Sequence, residues 1–96
     1  MMVFITRQAL ADLEDVADFI AQDSPVQAVR FALELKSFCL GLGDRPRGYA
    51  QIEGLGEFRR APYGNYSIFY RLAGVELRVS RILHSARLVN ADMLTG

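Results

Sequence analysis

Apolar positions along this chain change period twice, and each change predicts an element. Met2–Thr6 reads MVFIT, a short apolar run that predicts a strand. From about Gln8 to Gln22 the period lengthens. Leu10, Leu13, Ala17 and Ile20 recur at three- and four-residue steps, which makes one apolar stripe of a helix. Asp12, Glu14, Asp15 and Asp18 fill the rest and are expected to be solvated charges, with acids in the first turns suiting the helix dipole. Asp23-Ser24-Pro25 then stops one helix and starts another, because Ser24 is a good N-cap and Pro25 a good first helical residue. The second helix runs from Pro25 to about Leu42, with Ala28, Ala32, Leu35, Cys39 and Leu42 as its main stripe, and Gly41 and Gly43 end it. Val29, Phe31, Leu33, Phe38 and Leu40 leave apolar residues on its other sides, the pattern of a helix that is deeply buried or awaits a partner.

After a connecting loop from Gly43 to Gly56, the period becomes two. Phe58–Ala61, Tyr66–Leu72 and Val75–Leu83 are rich in β-branched and aromatic residues, and Pro62-Tyr63-Gly64-Asn65 and Ala73-Gly74 punctuate them. Tyr66, Ile68, Tyr70 and Leu72 share one face of their strand; Ser67, Phe69 and Arg71 share the other. In the last strand Val75, Leu77 and Val79 set an inward phase that breaks at Arg81. A bulge near Ser80-Arg81 would repair it and re-aim Arg81; a strand covered on both faces is the other solution. The predicted architecture is α+β, in the order β-α-α-β-β-β: a helical hairpin packed on one face of a small, mostly antiparallel sheet. The other face, bearing Phe69, Arg71 and Arg78, is expected to be open.

Composition narrows the class. The chain's 96 residues predict one domain, residues 1–96, with a core feasible without staples. A hydrophobic share of 51% argues against disorder. No apolar run approaches the roughly 20 residues of a membrane span, and no basic segment precedes the first apolar residues as in a signal peptide. One cysteine, Cys39, forbids an internal disulfide, so the cytoplasm is the expected compartment. The zero net charge hides an asymmetry: residues 1–56 hold eight acids against five bases, and residues 57–96 hold six arginines against three acids. Ten of the eleven cations are arginine, the side chain suited to gripping carboxylates or phosphates.

Little chemistry is encoded. A single histidine and a single cysteine cannot make a zinc site, and Gly54-Leu55-Gly56 lacks the downstream glycine and helix of a phosphate loop. No cofactor is expected. Arg81, His84 and Arg87 form the one cluster with a claim. It admits acid–base chemistry, a binding contact, or a histidine capping backbone at a strand end.

The segments ALADLEDVADFI, Ser24-Pro25 opening a helix, FRRAPYGNYSIFYR and RILHSAR resemble a ParE toxin of the RelE/ParE superfamily, over nearly the whole chain and in the right order. Ile68-Phe69-Tyr70-Arg71 and Arg81-Ile82-Leu83-His84 are the most specific parts. The resemblance implies the toxin half of a bacterial type II toxin–antitoxin module. It implies sequestration by a ParD-like antitoxin, DNA gyrase as the target, and no enzymatic activity. RelE members instead cut mRNA on the ribosome. A neutral chain with one lysine suits docking on the polyanionic ribosome poorly, and residues 85–96 hold no tyrosine where RelE members tend to place a catalytic group; sequence-specific nucleic-acid binding is not expected. Expected target contacts are Arg59, Arg60, Arg81, His84 and Arg87. Expected antitoxin contacts are Phe31, Phe38, Phe69, Arg71 and Arg78. A family member that only binds its partner is the third class.

Overall fold

The computed structural model describes residues 1–95. Its elements are β1 (Met2–Ile5), α1 (Arg7–Ala21), α2 (Pro25–Gly41), a 3₁₀ turn (Leu42–Asp44), β2 (Arg59–Tyr63), β3 (Tyr66–Ala73), β4 (Glu76–His84) and α3 (Ala91–Leu94). Local chemistry sets the boundaries. The Thr6 side chain accepts a hydrogen bond from the Ala9 amide at 3.2 Å, so α1 starts one residue earlier than its apolar stripe predicts. Ser24 caps α2 through the Gln27 amide, also at 3.2 Å, with Pro25 in its first turn. A Cβ at Gly43 would collide with the Met1 carbonyl oxygen, which explains the glycine where α2 ends beside the start of β1.

The strands lie in the order β1-β4-β3-β2. β1 runs parallel to β4, and the β2–β3 and β3–β4 pairs are antiparallel. Both hairpins turn in two residues, Gly64-Asn65 and Gly74-Val75, and both glycines have positive φ, 57° and 63°. Glycine adopts that geometry without strain. The phase break in β4 is a bulge. Phe69 pairs with Arg81 but Tyr70 pairs with Val79, leaving Ser80 as the extra residue.

One sheet face carries the main core. Ile68, Tyr70, Leu77, Val79 and Ile82 meet Ala9 and Leu13 of α1 and Leu35 and Cys39 of α2. Each large apolar side chain buried here contributes about 1.5–3 kcal/mol. Burial pushes the Cys39 thiol up to about 12, so it stays a neutral packing group. The α1 stripe is rotated from its expected register: Leu10 is 44% exposed, while Ala9, Asp12 and Leu13 are buried. Phe31 and Phe38 also turn toward the sheet. Phe31 meets the rings of Tyr63 and Tyr66 edge-on at 5.9 and 5.6 Å, and Phe38 lies 4.9 Å from Tyr63.

The second sheet face is not uniformly open, which corrects the expectation for Phe69. Phe69 is buried with Phe58, Leu83 and Leu94, under α3 and the loop residues Ile52 and Leu55. The other half of this face is uncovered. There Phe4 is 44% exposed, with the Arg78 guanidinium 4.7 Å from its ring centroid. No helix among the described residues is long and apolar enough to cross a membrane.

Candidate functional site

Three surfaces bear on function. The first is the far end of β4. β1 accompanies β4 only as far as Val79, and the chain then turns at Thr6 into α1. Beyond that point the edge of β4 has no strand partner among the described residues, and α1 supplies Asp12 instead. Asp12 Oδ2 accepts the Ile82 amide at 2.9 Å. Its two oxygens also accept Arg81 Nε and Nη2 at 2.7 and 2.9 Å, a bidentate pair. Arg81 Nη1 donates to the Met93 carbonyl at 3.2 Å. The bulge thus re-aims Arg81 between α1, on one sheet face, and α3, on the other. The hydrogen bond to Asp12 raises the Arg81 pKa, outweighing the opposing effect of burial. Arg81, an expected target contact, is therefore held between two elements of the fold and is not a free guanidinium at the surface.

His84 and Arg87 remain exposed. They border a shallow hollow of about 220 Å³ with Asp15, Val16 and Phe19 of α1 and Tyr66 of β3. The Tyr66 ring meets His84 edge-on at 5.5 Å. His84 Nδ1 accepts the Ala86 amide at 3.1 Å, and the Arg87 amide donates to the His84 carbonyl at 3.0 Å, so a tight turn fixes both residues. Phe19, 66% exposed, adds an apolar wall. A cation, an imidazole and two aromatic rings around a shallow hollow suit a protein contact.

The arginines of β2 divide between the two sheet faces. Arg59 is half-buried and donates to the Tyr49 carbonyl at 2.6 Å. Arg60 is exposed, and its Nε donates to Ser67 Oγ at 2.7 Å, which in turn lies 3.2 Å from Ser85 Oγ. On the uncovered part of the second face Arg71 pairs with Glu57 at 3.5 Å and Arg78 with Glu76 at 2.8 Å, all four partly exposed. Glu57, Glu76 and the cation–π partner Phe4 were missed in the sequence; alternation along β1 and β4 is the signal that places Phe4 and Arg78 together.

The third surface is the outside of the helical hairpin. Val26, Val29, Leu33 and Leu40 are 69%, 61%, 65% and 51% exposed. Of these, Val29, Leu33 and Leu40 are residues that the sequence pattern left over; Phe31 and Phe38 are not part of this surface, because they face the sheet.

Among the described residues no group of three or more His, Cys, Asp or Glu could hold a metal ion.

Comparison with known proteins gives these features a context. Residues 3–89 match the family model of the ParE toxin of type II toxin–antitoxin system, parDE. The chain is 40% identical over 84 residues to "Toxin RelE2" of Caulobacter vibrioides, covering 86% of this chain and 93% of that protein. A solved structure described as the chromosomal ParDE TA system from P. aeruginosa shares the fold, with a TM-score of 0.78 and 22% identity over 88% of this chain and 95% of that one. With strand order, hairpin and family match in agreement over nearly its whole length, this chain belongs to the ParE toxin family of type II toxin–antitoxin systems.

Proposed function

We propose that this toxin arrests growth by binding DNA gyrase, without enzymatic chemistry of its own, and that a ParD-like antitoxin neutralises it. The observation that carries the gyrase reading is the fixed, exposed His84–Arg87 turn against Phe19 and Tyr66. This arrangement supports a protein contact better than a ribonuclease site. His84 Nδ1 is already engaged by the Ala86 amide, and the nearby Arg81 is held by Asp12, so no second cation converges on the imidazole from that strand. Arg60, exposed on β2 and linked through Ser67 to Ser85, extends the proposed target surface, whereas Arg59 lies on the opposite sheet face.

The antitoxin surface in this reading is the remaining unpartnered apolar area. It comprises the α2 residues Val26, Val29, Leu33 and Leu40, and the uncovered sheet half with Phe4, Arg71 and Arg78. β1 is an edge strand, open to strand addition along its free side. A disordered antitoxin segment that folds over such surfaces buries on the order of 1,000–3,000 Å² and gives a markedly negative heat-capacity change.

Induced expression of the chain should arrest growth, and co-expression of the product of the adjacent gene should relieve the arrest. Calorimetry on the purified pair should show binding with a negative heat-capacity change. A pair that binds without that change, or does not bind, would contradict this part of the reading.

A further inference from the structure

The outside of the hairpin joins an apolar ridge to a groove. Val26, Val29 and Leu33 stand three and four residues apart on α2 and so form one line. Beside the line, between α1 and α2, runs a groove of about 400 Å³ lined by Ala17, Ala21, Ala28 and Ala32, with Asp18 on its α1 wall. Arg30 flanks the ridge, in a hollow with Pro25, Val26, Val29 and Leu33. On the α2 wheel it lies about 160° from Ala28 and Ala32, on the side away from α1. The surface therefore presents, in order across the hairpin, an acid, a groove, an apolar ridge and a base. Neither Asp18 nor Arg30 takes part in an ion pair among the described residues.

That order is self-complementary. A two-fold axis parallel to α2, placed between ridge and groove, lays each copy's ridge into the other copy's groove. The same operation carries Arg30 of one copy across to Asp18 of the other. Their heights along the hairpin are close, since Asp18 lies three residues before the end of α1 and Ala28 three residues after the start of α2, and Arg30 is only two residues, or about 3 Å of helical rise, beyond Ala28. We propose that, in the free toxin, this face is a two-fold self-association surface whose occupant is a second copy of the chain. Ridge-into-groove packing and two reciprocal Arg30–Asp18 pairs hold it. The proposed antitoxin surface overlaps this face, so dimer and antitoxin complex exclude one another there.

Sedimentation of the isolated full chain over a wide concentration series tests this. The expected result is a monomer–dimer equilibrium. Leu33→Glu, at a position 65% exposed, should leave only monomer, with circular dichroism reporting the fold and Val29→Glu as a second variant. Arg30→Asp should weaken association about tenfold or more, and adding Asp18→Arg to the same chain should restore it, because the swap rebuilds both pairs. A wild-type chain that stays monomeric throughout overturns the proposal, even if an antitoxin still binds this face, and the antitoxin reading then stands alone. A dimer indifferent to Leu33→Glu and Val29→Glu, or an Arg30→Asp defect that Asp18→Arg does not repair, overturns it as well.

Discussion

Asp12→Ala should be the most destabilising polar substitution in this chain, at about 3–5 kcal/mol, the usual cost of removing one partner from a buried ion pair. Asp12 is 7% exposed, and the Arg81 side chain 15%. Truncation strands the guanidinium of Arg81 and also leaves the Ile82 amide without its acceptor at the edge of β4. A domain of this size has a total stability of about 5–15 kcal/mol, so the variant sits near the unfolding threshold. Asp12→Asn keeps an acceptor for Ile82 and should fall between the two. Asp12→Leu with Arg81→Met removes both charges together and should recover much of the loss, which a double-mutant cycle in urea measures. A cost below about 1 kcal/mol for Asp12→Ala would show that solvent reaches the pair and that its role is that of a surface bridge. The sign of the pH dependence follows from Arg81. A cation whose folded-state pKa is raised contributes stability that is complete below its ordinary pKa and is lost only as pH rises through the folded value. The Arg81 contribution is therefore constant throughout the neutral range.

The double variant His84→Ala/Arg87→Ala should do the reverse, losing growth arrest while keeping the fold. Both residues are exposed and neither is in an ion pair among the described residues. Their removal should leave the circular dichroism spectrum unchanged and the melting temperature within a few degrees of the parent. At an interface, truncation of desolvated anchors of this kind costs about 2 kcal/mol or more, roughly a thirtyfold loss of affinity. Growth curves on induction read the loss, and co-purification with the antitoxin shows whether the second surface is intact. If the variant remains fully toxic, the target contact lies elsewhere, and the loop from Gly43 to Gly56 is the next surface to vary. Arg81→Ala is a poor probe of the same question, because it would combine unfolding with loss of contact.

Much of this fold was legible because its signals are local. Ser24-Pro25 marks the start of α2, the two Gly-X turns mark the hairpins, and the phase break at Arg81 marks the bulge. What escaped was set by contacts distant in sequence. Asp12 was expected in solvent with its acidic neighbours, yet it lies on the buried arc with Ala9 and Leu13, 69 residues from Arg81. The available signal was an acid between apolar positions i−3 and i+1 of one helix, together with an arginine out of phase in a strand. Phe69 was expected in the open because its cover is a four-residue helix. Leu94 alone, 1% exposed, supplies that helix's fully buried side chain, too little for any periodicity to reveal. Phe31 and Phe38 fall outside the stripe predicted for α2 because that stripe is narrower than the arc that the aromatic hairpin residues Tyr63 and Tyr66 accept.

The most direct test of a gyrase-binding toxin is supercoiling of relaxed plasmid by purified gyrase in the presence of the purified chain. Inhibition should rise with toxin concentration, vanish when antitoxin is added in excess, and be lost in His84→Ala/Arg87→Ala. Unimpaired supercoiling, together with codon-dependent mRNA cleavage on ribosomes that His84→Ala abolishes, would place the chain with the ribonucleases and contradict gyrase binding as its mode of action.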